Sequence, residues 1–516
     1  MKKQFYFTIS VFLFAISSFS YAQPGTLDGD FDADGKVTTD LGSSSDYCRA
    51  LSIQQDGKII AVGSSSGDFA IVRYQPDGSL DNSFGTNGKV ITTFGGQDHA
   101  TCMALQQDGK ILVAGSASGD FGLVRYNSDG SIDNTFSFNG IVIADLGGGE
   151  SVGSMELQPD GKIVVVGSTE FESGGMTEFD FAVVRYNIDG TLDNTFSLDG
   201  KVTTDLGNST DVGRSVSLQS DGKIVVSGES YLSLTTSSDF ASVRYNSDGT
   251  LDNSFGTNGI VLTDYFNSPD GAQSSIIQPD GKIILAGYAT DNGGSIGFAL
   301  VRYNMDGSLD DTFTNGGQIL TSVATGNGLC RSVSLQPDGK ILLAGFTSGG
   351  SNDDFALVRY TAEGLLDLSF LFGSVTTDFG NSRDRAFSVA VQPDGKIVLG
   401  GQRSNNGNID FALARYISGL TVGVVDFADE TSPPLIYPNP IGHTAQLEFE
   451  LIKDEVIDIL LYDISGKLIQ SIMRNVQMIK GQNEIPLNFN NSITTGNYLL
   501  VIKSATGKQG IKITIE

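Results

Sequence analysis

The chain has 516 residues, with 32 lysines and arginines against 60 aspartates and glutamates, and a formal net charge of −28. This acidity opposes contact with nucleic-acid phosphates and anionic lipids, so we expect no nucleic-acid partner. Three cysteines are too few for a disulfide framework, and the only two histidines, His99 and His443, lack the spacing of zinc ligands.

The first 22 residues have the pattern of a signal peptide. Lys2 and Lys3 precede an apolar run from Phe5 to Phe19, and the small residues around Tyr21 form a cleavage site. We expect cleavage after Ala22, which leaves Gln23 as the first residue of the mature chain. The run is shorter than the about 20 apolar residues that cross a bilayer, although an uncleaved anchor helix remains an alternative. No transmembrane span is expected in the mature chain.

Three short motifs recur seven times each between residues 23 and 420. Asp-Gly-Lys-Ile returns at steps of 52 to 61 residues, and Arg-Tyr and Leu/Ile-Asp-x-x-Phe return at matching places. One unit, residues 213–264, contains four strand-like segments separated by Asp-Gly turns. Four short strands per repeat predict a blade of a β-propeller, in which neighbouring sheets bury each other's faces.

The order of the motifs predicts that the propeller is closed. The chain begins with the fourth-strand motif at Leu27 to Phe31, and it ends the last repeat at Arg415-Tyr416 without that motif. Residues 27–40 can therefore supply the missing outer strand of the last blade and remove an exposed edge. We predict an all-β fold, a closed seven-bladed β-propeller of four-stranded blades. An open array or a split ring remains an alternative.

The repeated motifs DGKIVVVG, DFAVVRYNxDGxLDxxF and GKVTTD resemble those of the delta-60 repeat family of bacterial extracellular proteins. The resemblance covers residues 26 to 419. It implies secretion and a repeat architecture, and it brings no established activity.

Residues that recur in every repeat more often serve the repeat than a single active site. We therefore expect the arginines of the Arg-Tyr motifs to bind carbonyl or carboxylate groups between strands or neighbouring blades. Cys48, Cys102 and Cys330 occupy places where other repeats carry small residues, so we expect them to pack in the core.

A short acidic stretch, Asp28, Asp30, Asp32 and Asp34 followed by Gly35, is similar to a calcium-binding loop. The closing glutamate of an EF-hand is missing. The alternative is an ordinary repeat with extra acids. Calcium is the one cofactor that this sequence suggests, and we keep it as a hypothesis.

The segments between the second and third strands vary most in length, and three of them are long: 168–179, 229–238 and 288–296. We expect them to be loops on one face of the propeller, where binding usually occurs on a rigid scaffold. Phe171, Tyr231 and Tyr288 are the candidate contacts for an unknown glycan or protein ligand.

No catalytic constellation is visible in the sequence. Serines and aspartates lack a plausible histidine partner, and neither a nucleophile elbow nor a phosphate-binding loop occurs. We therefore expect a binding, adhesion or structural module rather than an enzyme. Two alternatives stay open: a glycan hydrolase with an acid pair in the propeller channel, and a purely architectural surface protein.

The repeat stops before a predicted linker, residues 421–434, and residues 435–516 contain short alternating strands that predict a small β-sandwich. Four motifs in this segment resemble the C-terminal sorting domain of the type IX secretion system. They are Tyr437-Pro438-Asn439-Pro440, Ser465-Gly466-Lys467, Gly496-x-Tyr498 and the end from Lys512 to Ile515.

The resemblance implies export across the outer membrane, contact with the secretion machinery, removal of the domain, and then surface attachment or release. An ordinary accessory sandwich is the alternative.

Overall fold

The computed structural model describes residues 23–419 and 435–515, apart from 43–44, 174–175, 208–209, 232–236, 324–325, 349–351, 381–382, 406, 439–440, 443, 452, 464–467, 491–492, 494 and 505–507. The predicted signal peptide with Ala22 and the predicted linker lie outside the described residues. So do Asn439, Pro440 and Gly466 of the sorting motifs.

The repeats form seven four-stranded antiparallel sheets. A first short strand, β1 (Lys36–Thr39), precedes the first complete repeat. Sheet 1 contains β2 (Asp46–Ile53), β3 (Ile59–Ser65), β4 (Asp68–Tyr74) and β5 (Lys89–Thr92). Sheet 2 contains β6 (His99–Leu105), β7 (Ile111–Ala117), β8 (Asp120–Tyr126) and β9 (Ile141–Ala144). Sheet 3 contains β10 (Glu150–Leu157), β11 (Ile163–Ser173), β12 (Met176–Tyr186) and β13 (Lys201–Thr204).

Sheet 4 contains β14 (Thr210–Leu218), β15 (Ile224–Tyr231), β16 (Ser238–Tyr245) and β17 (Ile260–Thr263). Sheet 5 contains β18 (Asp270–Ile277), β19 (Ile283–Thr290), β20 (Ile296–Tyr303) and β21 (Gln318–Thr321). Sheet 6 contains β22 (Asn327–Leu335), β23 (Ile341–Ser348), β24 (Asp353–Tyr360) and β25 (Ser374–Thr377). Two short 3₁₀ helices, Thr314–Gly317 and Leu371–Gly373, precede the fourth strands of sheets 5 and 6. Sheet 7 contains β26 (Asp384–Val391), β27 (Ile397–Asn405) and β28 (Asn408–Tyr416).

The outer strand of sheet 7 comes from the beginning of the chain. Strand β1 pairs antiparallel with β28, with Val37 opposite Leu413. The first strand of each sheet lies innermost and contacts the first strand of the next sheet, and β26 likewise contacts β2. This arrangement is consistent with a seven-bladed propeller.

The second and third strands of each sheet are apolar because sheets cover both of their faces. Every residue of β3 is buried, for example. Cys48, Cys102 and Cys330 are buried and free of disulfides, which confirms their predicted place in the core.

The arginine of the Arg-Tyr motif in each sheet binds to the next sheet. Arg302 donates from Nε to Asp310 at 2.7 Å and from a terminal nitrogen to the carbonyl of Ala362 in sheet 6 at 2.8 Å. Its guanidinium group also lies 4.0 Å from the centre of the Phe313 ring. We call this set of contacts the arginine hub.

The hub recurs in all seven sheets, with Nε to aspartate distances of 2.7 to 2.9 Å. The last one joins the two ends of the repeat region, because Arg415 pairs with Asp28 and donates to the carbonyl of Pro76 in sheet 1. The hub arginines are Arg73, Arg125, Arg185, Arg244, Arg302, Arg359 and Arg415. The prediction that these arginines bind carbonyl or carboxylate groups between strands or neighbouring blades is confirmed: the carboxylate belongs to the same sheet and the carbonyl to the next.

The C-terminal segment forms two further antiparallel sheets. Its strands are β29 (Leu435–Tyr437), β30 (Thr444–Leu451), β31 (Glu455–Asp463), β32 (Leu468–Met478), β33 (Gly481–Asn488), β34 (Gly496–Ser504) and β35 (Lys508–Ile515). One sheet has the order β29-β30-β33 and the other β32-β31-β34-β35. Apolar residues alternate along these strands, and side chains of both sheets, such as Leu447 and Leu500, share one hydrophobic core.

Candidate binding site

A β-bulge interrupts the innermost strand of every sheet at the same place. In sheet 5 the pairing of β18 with β19 shifts between Ala272 and Ser274, so that Gln273 is the extra residue. Gly287 lies opposite this point, and a Cβ atom there would stand 1.9 Å from the carbonyl oxygen of Gly271. The glycine that ends the second-strand motif is therefore needed for the close approach of the bulged strand.

The same glycine contact occurs in all seven sheets. The residues at the bulges differ far more than the residues of the hub. They are Arg49, Thr101, Gly153, Arg214, Gln273, Arg331 and Phe387.

Three of the bulge residues are joined by a chain of polar contacts across sheets 4, 5 and 6. Arg331 donates to Oε1 of Gln273 at 2.5 Å, and the Gln273 amide donates to Oε1 of Glu229. Arg214 lies 3.5 Å from the same carboxylate, which is 2% exposed. Burial and the nearby charge of Arg214 lower the pKa of Arg331.

A second part of the site lies where sheets 7 and 1 meet. The guanidinium group of Arg49 lies 4.5 Å from the centre of the Phe387 ring. Burial lowers the pKa of Arg49, and the charge of Arg385 adds to this. Arg385 itself pairs with the buried carboxylate of Asp353 at 2.6 Å. We call the combined group the axial cluster: Arg49, Arg214, Arg331, Arg385, Gln273 and Glu229.

A cavity of about 690 Å³ continues from the bulges along the innermost strands of sheets 3 to 6. Its lining begins at Ser154, Ser215 and Ser274, each of which directly follows a bulge residue. Glu156 lines this cavity, and burial raises the pKa of its carboxyl group to about 7. Arg214 and Gln273 of the axial cluster thus directly precede residues that line a cavity large enough for a small ligand.

The predicted contact residues lie in strands, which corrects the expectation that they belong to loops, whereas residues 291–295 of the third segment do lie outside the strands. Phe171 is in β11, Tyr231 ends β15, and Tyr288 is in β19, because the strand pairing continues into the long hairpins. Two of the three come together. Tyr231 and Tyr288 both donate to Oε2 of Glu229, at 2.9 and 3.3 Å. The structure does not bring Phe171 to them.

Sequence reasoning missed Arg49, Arg214, Arg331 and Gln273. Aligning the seven repeats could have revealed them. They all occupy one position of the repeat, and at that position charged, polar, aromatic and glycine residues replace one another. The one-residue shift of the bulge decides which residue faces the axis, and the hydrophobic pattern does not reveal it.

Acidic residues gather where the third strand begins. In five of the seven sheets, among the described residues, three carboxylates place oxygens within 4.8 Å of one another. We call these groups the acid triads: Asp40, Asp46 and Asp410; Asp120, Asp145 and Glu150; Asp180, Asp205 and Asp211; Asp239, Asp264 and Asp270; and Asp354, Asp378 and Asp384. Three carboxylate oxygens are ligands that suit a hard cation such as calcium.

The acid triads do not include the predicted calcium residues. Asp28 is 4% exposed and pairs with Arg415 at 2.7 Å and Lys396 at 2.9 Å, so its carboxylate belongs to an arginine hub. The Asp34 carboxylate accepts a hydrogen bond from the Lys36 amide, while Asp30 and Asp32 are exposed. The structure therefore does not bring the four together as one ligand set.

The described sorting-motif residues lie on the strands of the C-terminal segment. Tyr437 ends β29 and donates to the Glu448 carboxylate, and Pro438 follows it directly. Gly496 begins β34, in which Tyr498 is 7% exposed and packs in the core. Lys512 lies in β35.

Comparison with known families agrees with this division of the chain. Seven segments match the family described as "Domain of unknown function (DUF5122) beta-propeller": residues 54–84, 106–136, 158–196, 219–255, 278–313, 336–370 and 392–418. Residues 435–516 match the secretion system C-terminal sorting domain. The chain is therefore a β-propeller repeat protein that carries a type IX sorting domain.

The sorting domain directs export across the outer membrane to the cell surface or the extracellular space, which confirms the predicted localisation and implies contact with the secretion machinery. The name delta-60 repeat is not tested by these matches and stays a prediction. Within the described part of the chain, every helix is too short to span a bilayer.

A search of the curated proteins found no match. Solved structures with a similar chain fold include virginiamycin B lyase from Staphylococcus aureus, at 11% identity and a TM-score of 0.39, covering 73% of this chain and 98% of that chain. A protein from Lactobacillus plantarum has 16% identity and a TM-score of 0.40, with 64% and 84% covered. An ulvan lyase has 11% identity and a TM-score of 0.43, with 73% and 95% covered.

Proposed function

We propose that the chain is an exported binding module, made as a precursor with a signal peptide at residues 1–22. In this proposal the seven sheets are a closed propeller, a linker at residues 421–434 follows, and the two C-terminal sheets are a small sandwich. The ligand is a glycan or a protein that binds at the axial cluster.

One observation carries this proposal. The hub residues are the same in all seven sheets, whereas the bulge residues change from sheet to sheet, and three of them are joined through Glu229 by polar contacts next to the residues that line the cavity. A residue that only holds the repeat together has no reason to vary in this way. Convergent polar groups beside a cavity are typical of a ligand site.

The test is a glycan and matrix-protein array with the full chain, with and without calcium. We expect saturable binding that weakens when Tyr288, which donates to Glu229, is changed to Phe. The matched control is Tyr437→Phe, which removes the same hydroxyl from a tyrosine of the C-terminal segment. A folded chain that binds no array component would contradict the proposal and favour the architectural role.

The hydrolase alternative has one observation in its favour. Glu156 lines the cavity of about 690 Å³, and burial raises its pKa to about 7, which suits a general acid at neutral pH. Such an enzyme needs a second carboxylate about 5 to 10 Å away. Release of reducing sugar by the full chain, and its loss in Glu156→Gln, would establish this alternative.

A further inference from the structure

The axial cluster concentrates positive charge in an acidic protein. The chain has a net charge of −28, yet among the described residues four guanidinium groups pair here with two carboxylates, those of Glu229 and Asp353. A formal excess of two positive charges remains among these groups. Buried or half-buried cations are costly unless an anion accompanies them.

Arg49 shows this excess most clearly. Among the described residues, none gives its guanidinium group a hydrogen bond or an ion pair, and its contacts are with the rings of Phe387 and Tyr47. It is nevertheless half-buried. Its five N–H donors are therefore available to a ligand, and the contact with the Phe387 ring restricts where they lie.

Arg331 adds a second set of free donors. One of its terminal nitrogens donates to Gln273, but its Nε is buried and has no hydrogen-bond partner. Buried N–H groups without partners are uncommon in proteins, and such a donor is able to bind an ion or another acceptor. Arg331 and Arg49 are close enough for the charge of one to lower the pKa of the other.

We infer that the axial cluster binds an oxyanion, a carboxylate or a sulfate, carried by a saccharide. This inference rests on the proposed binding function and names the class of its ligand. Guanidinium groups bind planar and tetrahedral oxyanions through paired hydrogen bonds.

A saccharide is favoured over an acidic peptide by the groups beside the arginines. Glu229 and Asp353 would repel a second carboxylate of a peptide, whereas the uncharged phenol oxygens of Tyr231 and Tyr288, which donate to Glu229, can accept hydrogen bonds from sugar hydroxyls. Gln273 and the phenol groups offer further polar partners for sugar hydroxyls. The ring of Phe387 offers an apolar surface for a sugar face.

The test measures binding to the full chain by calorimetry with four probes: a tetrasaccharide containing glucuronate, its sulfated form, its neutral counterpart, and a hexapeptide of glutamates. We expect the uronate or the sulfated probe to bind, and the affinity to fall as salt rises. Arg49→Gln should weaken binding about tenfold or more, since it removes charge-assisted hydrogen bonds. Arg49→Lys should retain part of the affinity.

Arg474→Gln is the matched control, because it removes one exposed arginine from the C-terminal segment. Unfolding curves of each variant show whether it is folded. Equal affinity for the neutral probe, unchanged in Arg49→Gln, would overturn the oxyanion while leaving the binding function intact. Binding of the peptide alone would overturn the saccharide. A folded chain that binds no probe and no array component would overturn both proposals.

Discussion

Each sheet has a region that is the same in every repeat and a region that differs. At the hub, arginine, aspartate and phenylalanine recur seven times with nearly constant distances. At the bulge the backbone recurs, held by the same glycine, while the side chain ranges from glycine to arginine to phenylalanine. Constant side chains serve the fold, and variable side chains on a constant backbone leave room for a function of the whole ring.

The hub should be the more important region for stability. Arg302→Met removes the arginine from a buried aspartate and from the carbonyl of the next sheet, so we expect a loss of about 3 to 5 kcal/mol in the free energy of unfolding. Urea unfolding measures it. The matched control, Lys282→Met, removes a cation whose side chain is 25% exposed and which lies 2.7 Å from the same carboxylate, and it should cost about 1 kcal/mol or less. Equal losses would contradict a special role for the arginine.

The glycine opposite the bulge should affect both the stability of the fold and the binding of a ligand. Gly287→Ala would place a Cβ atom 1.9 Å from the Gly271 oxygen, so the bulged strand must move. We expect a loss of about 1 to 3 kcal/mol in stability together with weaker ligand binding. The control is Gly442→Ala, where no atom lies within 4 Å of the added carbon. A stable variant with normal binding would show that the glycine does not set the bulge.

The hubs and the acid triads should change the free energy of unfolding in opposite directions as the pH falls. At the hub, burial would raise the pKa of Asp310, but hydrogen bonds from Lys282, Thr312 and Arg302 outweigh it and lower the pKa. In the triads, burial and neighbouring carboxylates raise the pKa of Asp180 to about 6 and that of Asp270 to about 8. The folded chain therefore binds more protons than the unfolded chain between about pH 4 and 8, and fewer below about pH 4.

Stability should consequently rise when the pH falls from 8 to 6, and fall when the pH drops below about 4. Unfolding midpoints at pH 8, 6 and 3 measure both changes. Asp180→Asn removes one repelled charge, so it should raise the midpoint at pH 8 and have little effect at pH 4.5. A midpoint unchanged at pH 8 would show that the triad carboxylates do not oppose folding.

Arg49 at the bulge should contribute little to the stability of the fold. Arg49→Gln removes a charge from the bulge, where described residues give that group only ring contacts. We expect the free energy of unfolding to change by less than about 1 kcal/mol, since a cation–π contact of this kind contributes about that much. A loss as large as that of Arg302→Met would assign Arg49 to the fold instead of to the ligand.

The sequence was sufficient to predict the repeat, the number of strands and the role of the hub arginines, because each of these follows from motifs that recur at similar spacing. It was also sufficient for the origin of the outer strand of sheet 7, since Leu27 to Phe31 is a fourth-strand motif without its own first three strands. The hairpin of β11 and β12 is longer than the sequence predicted. Polar residues continue the strand pairing there, although their composition does not favour strands. The axial cluster escaped prediction because it depends on side chains from five sheets.

The position of β28 has a mechanical consequence. The last strand of the propeller, β28, lies between β1 and β27 and not at an edge, and the chain stays bound to the propeller up to Ser418, whose carbonyl accepts a hydrogen bond from Arg359. A pull on the sorting segment would therefore load two rows of backbone hydrogen bonds at once, in shear, together with the contacts of Arg415 to Asp28 and Pro76. A propeller tethered through this end would resist flow and traction better than one that could be unzipped from a free outer strand.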